Sequence, residues 1–236
     1  MPPLDAFSWN LILAAAGIAV THTLLGPDHY LPFIMLARAG RWSGTRTALV
    51  TAVCGIGHIL SSLLLGCVGL ALGAAVGHLE RIEGGRGDWA AWGLAAFGAA
   101  YMLWGVRRAI RHRRGLEPHA HGHVIHLHAH GDRVHAHTDD PRHAVTFWTL
   151  FALFVLGPCE PLIPLFVLPA SRGRWELALG TGLFFGLITV TLMVVVTTAA
   201  HAGLARLPLG RLEPWAHAMA GGVIALSGVA VLALGL

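Results

Sequence analysis

The sequence predicts an all-α integral membrane protein, with six transmembrane helices arranged as two inverted three-helix repeats and the first helix of each repeat broken. Three observations lead there. Hydrophobic residues make up 55% of the 236 positions and charged residues only 12%, about half the charged share of a soluble domain. Several apolar runs exceed the roughly 18 residues that mark a membrane-spanning helix. Two of those runs are interrupted by Gly-Pro, at Gly26-Pro27 and at Gly157-Pro158, and proline removes a backbone donor and breaks a helix.

The elements follow in order. The first span covers residues 7–39 and carries His22, Asp28 and His29 around its break. The second covers 45–77 and contains His58 behind Gly55 and Gly57. A polar link over 78–88 leads to the third span, 89–110, whose end is crowded with arginines. Residues 112–143 differ in composition: they hold ten of the sixteen histidines and form a loop outside the membrane. The fourth span, 145–169, contains the second break, Gly157-Pro158-Cys159-Glu160-Pro161. The fifth covers 176–204 and the sixth 215–236. No removable leader is expected, because the N-terminus lacks a basic stretch and runs straight into the first span.

The two halves repeat each other. The stretch from Gly26-Pro27 to Gly40-Arg41-Trp42 aligns with the stretch from Gly157-Pro158 to Gly173-Arg174-Trp175, with two single-residue gaps. Gly98 and Gly105 in the third span fall opposite Gly221 and Gly228 in the sixth. Residues 1–111 and 145–236 are therefore the two three-helix repeats, and 112–144 is the loop between them. Three spans per repeat invert the second copy. In such a plan the broken helices meet near the bilayer midplane and form the substrate site, where freed backbone must line a cavity and not face lipid.

The chemistry-bearing residues sit at the breaks. A central Asp in a membrane helix costs at least about 2.5 kcal/mol on insertion scales, so an intramembrane ionisable group points to function. Imidazoles with a carboxylate suit nickel, cobalt, zinc or ferrous iron, and do not suit magnesium or calcium. His22, Asp28 and His29 are the primary candidate metal ligands, with His58 as a fourth. Glu160 sits in the repeat position of His29 and supplies charge or carries a proton. Cys159, in the position of Asp28, is either a soft ligand or a small buried hydrophobe. In the loop, His126, His128, His130, His135 and His137 alternate around Gly131-Asp132, a hairpin signature. That register sets His126 opposite His137 and His128 opposite His135, a loose metal-binding face.

Arginine placement gives orientation. Twelve arginines lie on the side of the loops near 38–46, 107–143 and 204–214, and four on the other side. The first side should be cytoplasmic, with both termini outside and the His-rich loop inside. The net charge of +4 comes from these arginines, since the chain has no lysine, and is not a nucleic-acid signal. The three cysteines form no CxxC pair, and no phosphate-binding Gly-rich motif is present. The chain is expected not to be an enzyme and to hold no permanent cofactor. Its partners are transition-metal ions and the lipid bilayer, with a homo-oligomer left open.

His22-Thr-Leu-Leu-Gly-Pro-Asp28-His29, together with Gly57-His58, resembles the nickel/cobalt transporters. The likeness is greatest to the branch of urease-accessory-type membrane proteins that carry a His-Ala-Leu-x-Gly-Pro-Asp-His motif, within a lysine-exporter-like superfamily. The resemblance implies that His22, Asp28, His29 and His58 are metal-pathway residues. The expected function is secondary transport, export or import, of Ni2+ or Co2+ across the bacterial cytoplasmic membrane. The second break resembles the thiol-redox branch of the same superfamily. A membrane thiol-redox carrier using Cys159 is therefore the alternative, and a metal sensor without transport is a third reading.

Overall fold

The computed structural model describes residues 5–73, 75–113, 118–121, 124–127, 141–207 and 210–234. Helix α1 spans Ala6–Leu25 and is capped by Asp5, whose carboxylate accepts the Ser8 N–H at 3.0 Å. It ends where Pro27 has no N–H to give, and Gly26 N–H closes the last turn on His22 O at 3.0 Å. Pro27–His29 form one 3-10 turn, and the chain resumes as α2, Leu31–Ala39. Arg41, at φ 51°, turns the chain, and Ser43 caps α3, Gly44–Ala71, by accepting Arg46 N–H.

The next helix corrects the sequence reading. Residues 78–88, expected as a polar link, are the first turns of a single 38-residue helix α4, Val76–Arg113. Their charged residues occur within a helical frame, and one of them, Glu83, is fully buried. Beyond it, β1 (Pro118–His121) and β2 (Val124–Leu127) pair antiparallel, His119 opposite His126. His126 therefore pairs towards the N-terminal side of the loop. The expected register of 126 against 137, with His128, His130, His135 and His137, lies outside the described residues.

Helix α5, Pro141–Leu156, and α6, Leu162–Ser171, flank the second break. Helix α7 spans Trp175–Ala205, and a 3-10 stretch over Gly210–Trp215 leads into α8, Ala216–Leu234. Among the described residues, five helices are long and apolar enough to cross a membrane: α1, α3, α4, α7 and 212–234. The expected fourth span instead consists of two short apolar helices, 147–156 and 162–171. Pro158 and Pro161 cut it near its centre, whereas the first break leaves the 20 residues of α1 whole. The all-helical core and these five helices fit a multi-pass membrane protein.

Packing explains why the helices hold together. The most extensive contact is α4 against α8. A methyl on Gly98 would run into the backbone of Ala225 and Gly221, and one on Gly221 into Met102 and the carbonyl of Gly98. The two backbones therefore meet reciprocally, the close approach that small residues permit in membranes. One core cluster joins α1, α3, α6 and α7 around Ala15, Ile59, Phe166 and Phe185. A second joins α2, α3, α4, α5, α7 and α8 around Phe33, Cys54, Leu94, Phe154 and Met193. Leu13, Leu60, Leu64, Leu187 and Leu226 point outward, an apolar exterior suited to lipid.

The α1 cap also reaches α7. Arg174, just before α7, donates to both Asp5 carboxylate oxygens, at 3.0 Å to Oδ2, and to Ser8 Oγ at 2.7 Å. The Ser8 hydroxyl and amide, then Arg174, hold the Asp5 carboxyl down at about 2.

Two outcomes follow from these contacts. Gly221→Val should lower the thermal midpoint in detergent by about 2–12 °C, an overpacking cost spread over a chain of this size. Gly17→Ala, where a methyl meets nothing within 4 Å, should leave it unchanged. Because the Asp5 pKa is depressed on folding, its contribution is present above the unfolded value of 3.8 and is lost as pH falls towards about 2. The difference in midpoint between wild type and Asp5→Asn should be constant above about pH 5 and be lost progressively as pH falls through that window.

Candidate metal centre

Each break brings one imidazole into the same place. At the first, the 3-10 turn swings His29 back over Gly26, so close that a methyl there would press on the His29 ring and on Asp28 Oδ1. His29 Nδ1 lies 3.2 Å from Gly26 O and 3.2 Å from Asp28 Oδ1. Both partners are acceptors, so Nδ1 carries the proton and Nε2 presents its lone pair. At the second break, Phe154 O has lost its helical donor to Pro158. It accepts from Gly157 N–H at 3.2 Å and from His58 Nδ1 at 3.3 Å, so His58 Nε2 is likewise left with its lone pair.

Both Nε2 atoms are buried and have no hydrogen-bond partner, and both residues are 3% exposed. An orphaned buried acceptor is costly unless something binds it. His22, in the last turns of α1, completes the group. The ring centroids of His22 and His29 are 4.7 Å apart, those of His29 and His58 5.4 Å, and those of His22 and His58 6.5 Å. One nitrogen from each ring lies within 4.8 Å of the others, and among the described residues this is the one such group of metal-ligating side chains. Three neutral imidazoles around a point are a donor set for a borderline transition metal.

The other sequence candidates separate around this centre. Asp28 lines the cavity, but its contact is with the His29 ring, the orienting carboxylate usual behind a metal-binding histidine. Glu160 also lines the cavity, whose volume is about 310 Å³. Cys159 is fully buried in the apolar cluster with Leu162 and Ile163, and its Sγ stands 3.9 Å from His22 Nε2. It belongs to the wall behind His22 and lies outside the three-histidine group. His201 and His217 lie elsewhere, on Trp42 O and on Tyr101 with Arg108 respectively. Gly26, Pro27, Gly157 and Pro158 form the breaks themselves.

Sequence reasoning missed Glu83 and Arg86, which reach the second break from α4. Their i, i+3 spacing was a signal that the segment is helical. Gly87 lets Pro158 lie against α4, since a methyl there would stand 2.6 Å from its Cγ.

No family model, no curated protein and no solved structure matches this chain.

Titrating the purified protein with Ni2+ by calorimetry should separate the roles. His29→Ala and His58→Ala should each remove the tight site. Asp28→Asn should leave it but weaken it about 10–100-fold, the usual effect of losing an orienting carboxylate. Excess Mg2+ should not compete, because three nitrogen donors do not suit a hard cation.

Proposed function

We propose that this protein is a secondary transporter of a divalent transition-metal cation, nickel or cobalt, across the bacterial cytoplasmic membrane. The observation that carries the reading is the convergence of His22, His29 and His58, with two orphaned Nε2 atoms, in a cavity bounded by both helix breaks. His58 is halfway along the membrane-length helix α3, which supports a site part-way along a path across the bilayer. Asp28 and Glu160 bring two carboxylates to the same cavity, the charge needed to offset a dehydrated divalent cation. Zn2+ and Fe2+ suit the donor set less selectively and are competing cargoes.

The transport cycle follows from the proposed repeats. The reciprocal Gly98–Gly221 contact fits two inverted halves whose corresponding helices, α4 and α8, cross at a shared seam. Rocking one half against the other would expose the site between the breaks to each side in turn. The arginine-rich side would be cytoplasmic, with the His-rich loop there as a store of metal. The likeness to the nickel/cobalt transporters accords with this use of His22, Asp28, His29 and His58.

The thiol-redox alternative has less support. Cys159 and Cys54 belong to separate apolar clusters, and all three thiols are free. The polar neighbour of Cys159 Sγ is an imidazole.

Flux into vesicles containing the purified protein decides among these readings. Ni2+ or Co2+ should enter in a saturable way, and His29→Ala should abolish entry. Replacing Cys54, Cys67 and Cys159 together by Ser should leave transport in place. Flux lost with the thiols would favour redox chemistry. Absence of flux for any transition metal, with binding retained, would favour a sensor.

A further inference from the structure

Glu83 and Arg86 lie on α4 next to the second break and touch no candidate ligand nitrogen. The Glu83 side chain is fully buried, and its Oε1 pairs with Arg86 Nη1. The other carboxylate oxygen, Oε2, accepts Cys159 N–H at 3.3 Å and the Ser62 hydroxyl at 3.2 Å. Arg86 Nη2 donates to Val155 O at 2.7 Å and to Ser61 Oγ at 3.0 Å.

Val155 O and Cys159 N are four residues apart, the acceptor and donor that would bond each other in an unbroken helix. Gly157-Pro158 pulls them apart. Arg86 supplies the donor that Val155 O lost, and Glu83 supplies the acceptor that Cys159 N lost. We propose that the Glu83–Arg86 pair is a positioning splint. It replaces the missing backbone hydrogen bond of the second break and holds the break at the width that keeps Phe154 O on His58 and Glu160 at the cavity.

Three details support this placement. Phe154 precedes Val155 in the same last turn of α5, so fixing one carbonyl fixes the other. Ser61 and Ser62 lie one turn beyond His58 on α3, and Ser61 Oγ donates to His58 O at 2.9 Å. The splint therefore ties the turn that carries His58 to the break that orients it. Glu160 Oε1 also stands against Gly84 of α4, 3.2 Å from where a methyl would be. The first break has no such splint: its 3-10 turn closes with His29 N–H on Gly26 O, and Tyr30 donates to Leu24 O. The part of the proposal that concerns metal rests on the transport reading, whereas the splint itself does not.

The test uses full-length protein with Cys54→Ser and Cys67→Ser, which leaves Cys159 as the single thiol. Maleimide labelling of Cys159 reports opening of the break, and the visible spectrum and affinity of bound Co2+ report the histidine site. Arg86→Ala and Glu83→Leu should each speed labelling roughly 10–100-fold, as expected for loss of a charged hydrogen bond that holds a local segment shut. They should also weaken Co2+ binding about 10–100-fold, with a changed spectrum. Arg86→Lys, which keeps a donor, and Glu83→Gln, which keeps an acceptor, fold under milder demands and should fall between these and wild type. Labelling that does not change in any of the four variants overturns the splint. Faster labelling with unchanged Co2+ affinity and spectrum overturns its link to His58. If the parent protein binds no Co2+, the transport reading fails, and the labelling series alone decides the splint.

Discussion

Backbone amides and carbonyls freed inside an apolar environment must find partners, and the site in this protein is a consequence of that constraint. Two Gly-Pro steps interrupt helices that otherwise satisfy themselves. At the first, Gly26 O takes the proton of His29 Nδ1. At the second, Phe154 O takes that of His58 Nδ1. In each case a carbonyl at the break that accepts one backbone N–H also takes an imidazole proton, which fixes the tautomer and leaves Nε2 with its lone pair. Local helix breakage and the convergence of the imidazoles are thus one arrangement. At the second break Pro158 removes the helical donor that would compete for Phe154 O, as well as bending the chain.

The two breaks use different means to the same end. The first folds on itself, with a 3-10 turn and a glycine that makes room for a ring. The second is propped from outside by a half-buried ion pair on α4 and hydroxyls on α3. This difference matches their chemistry. The first break presents two ring-bearing turns and a carboxylate from one short segment. The second contributes a carbonyl, a carboxylate and an apolar thiol, and borrows its imidazole from α3. A buried or half-buried ion pair is a weak source of stability, but Glu83–Arg86 holds both sides of the break at fixed distances.

Much of the site was legible in the sequence. His22, Asp28 and His29 were marked by the cost of polar groups in an apolar run, and His58 by its glycine neighbours. All three histidines converge. The division of labour among the remaining candidates was not legible. Asp28 differs from a ligand by which atom it faces, and Cys159 by which wall it belongs to. Neither is a property of spacing along the chain. The polar stretch over 78–88 was read as a link because its composition is that of a loop. Composition cannot register that Glu83 is buried, and Arg86 half-buried, against a break about 70 residues away, and that both are therefore at home in a helix.

The sequence by itself determined that the chain is apolar and helical, where its helices break, and which side chains of metal-ligating type lie at the breaks. Those features depend on local rules: hydropathy, the missing donor of proline, and the side-chain type. The tertiary structure decided the rest. It split the second broken segment into two short helices, continued α4 through a polar stretch, brought α4 and α8 to backbone contact at Gly98 and Gly221, and set three imidazoles around one point. These outcomes depend on which stranded backbone group meets which distant side chain, and only the folded chain brings them together.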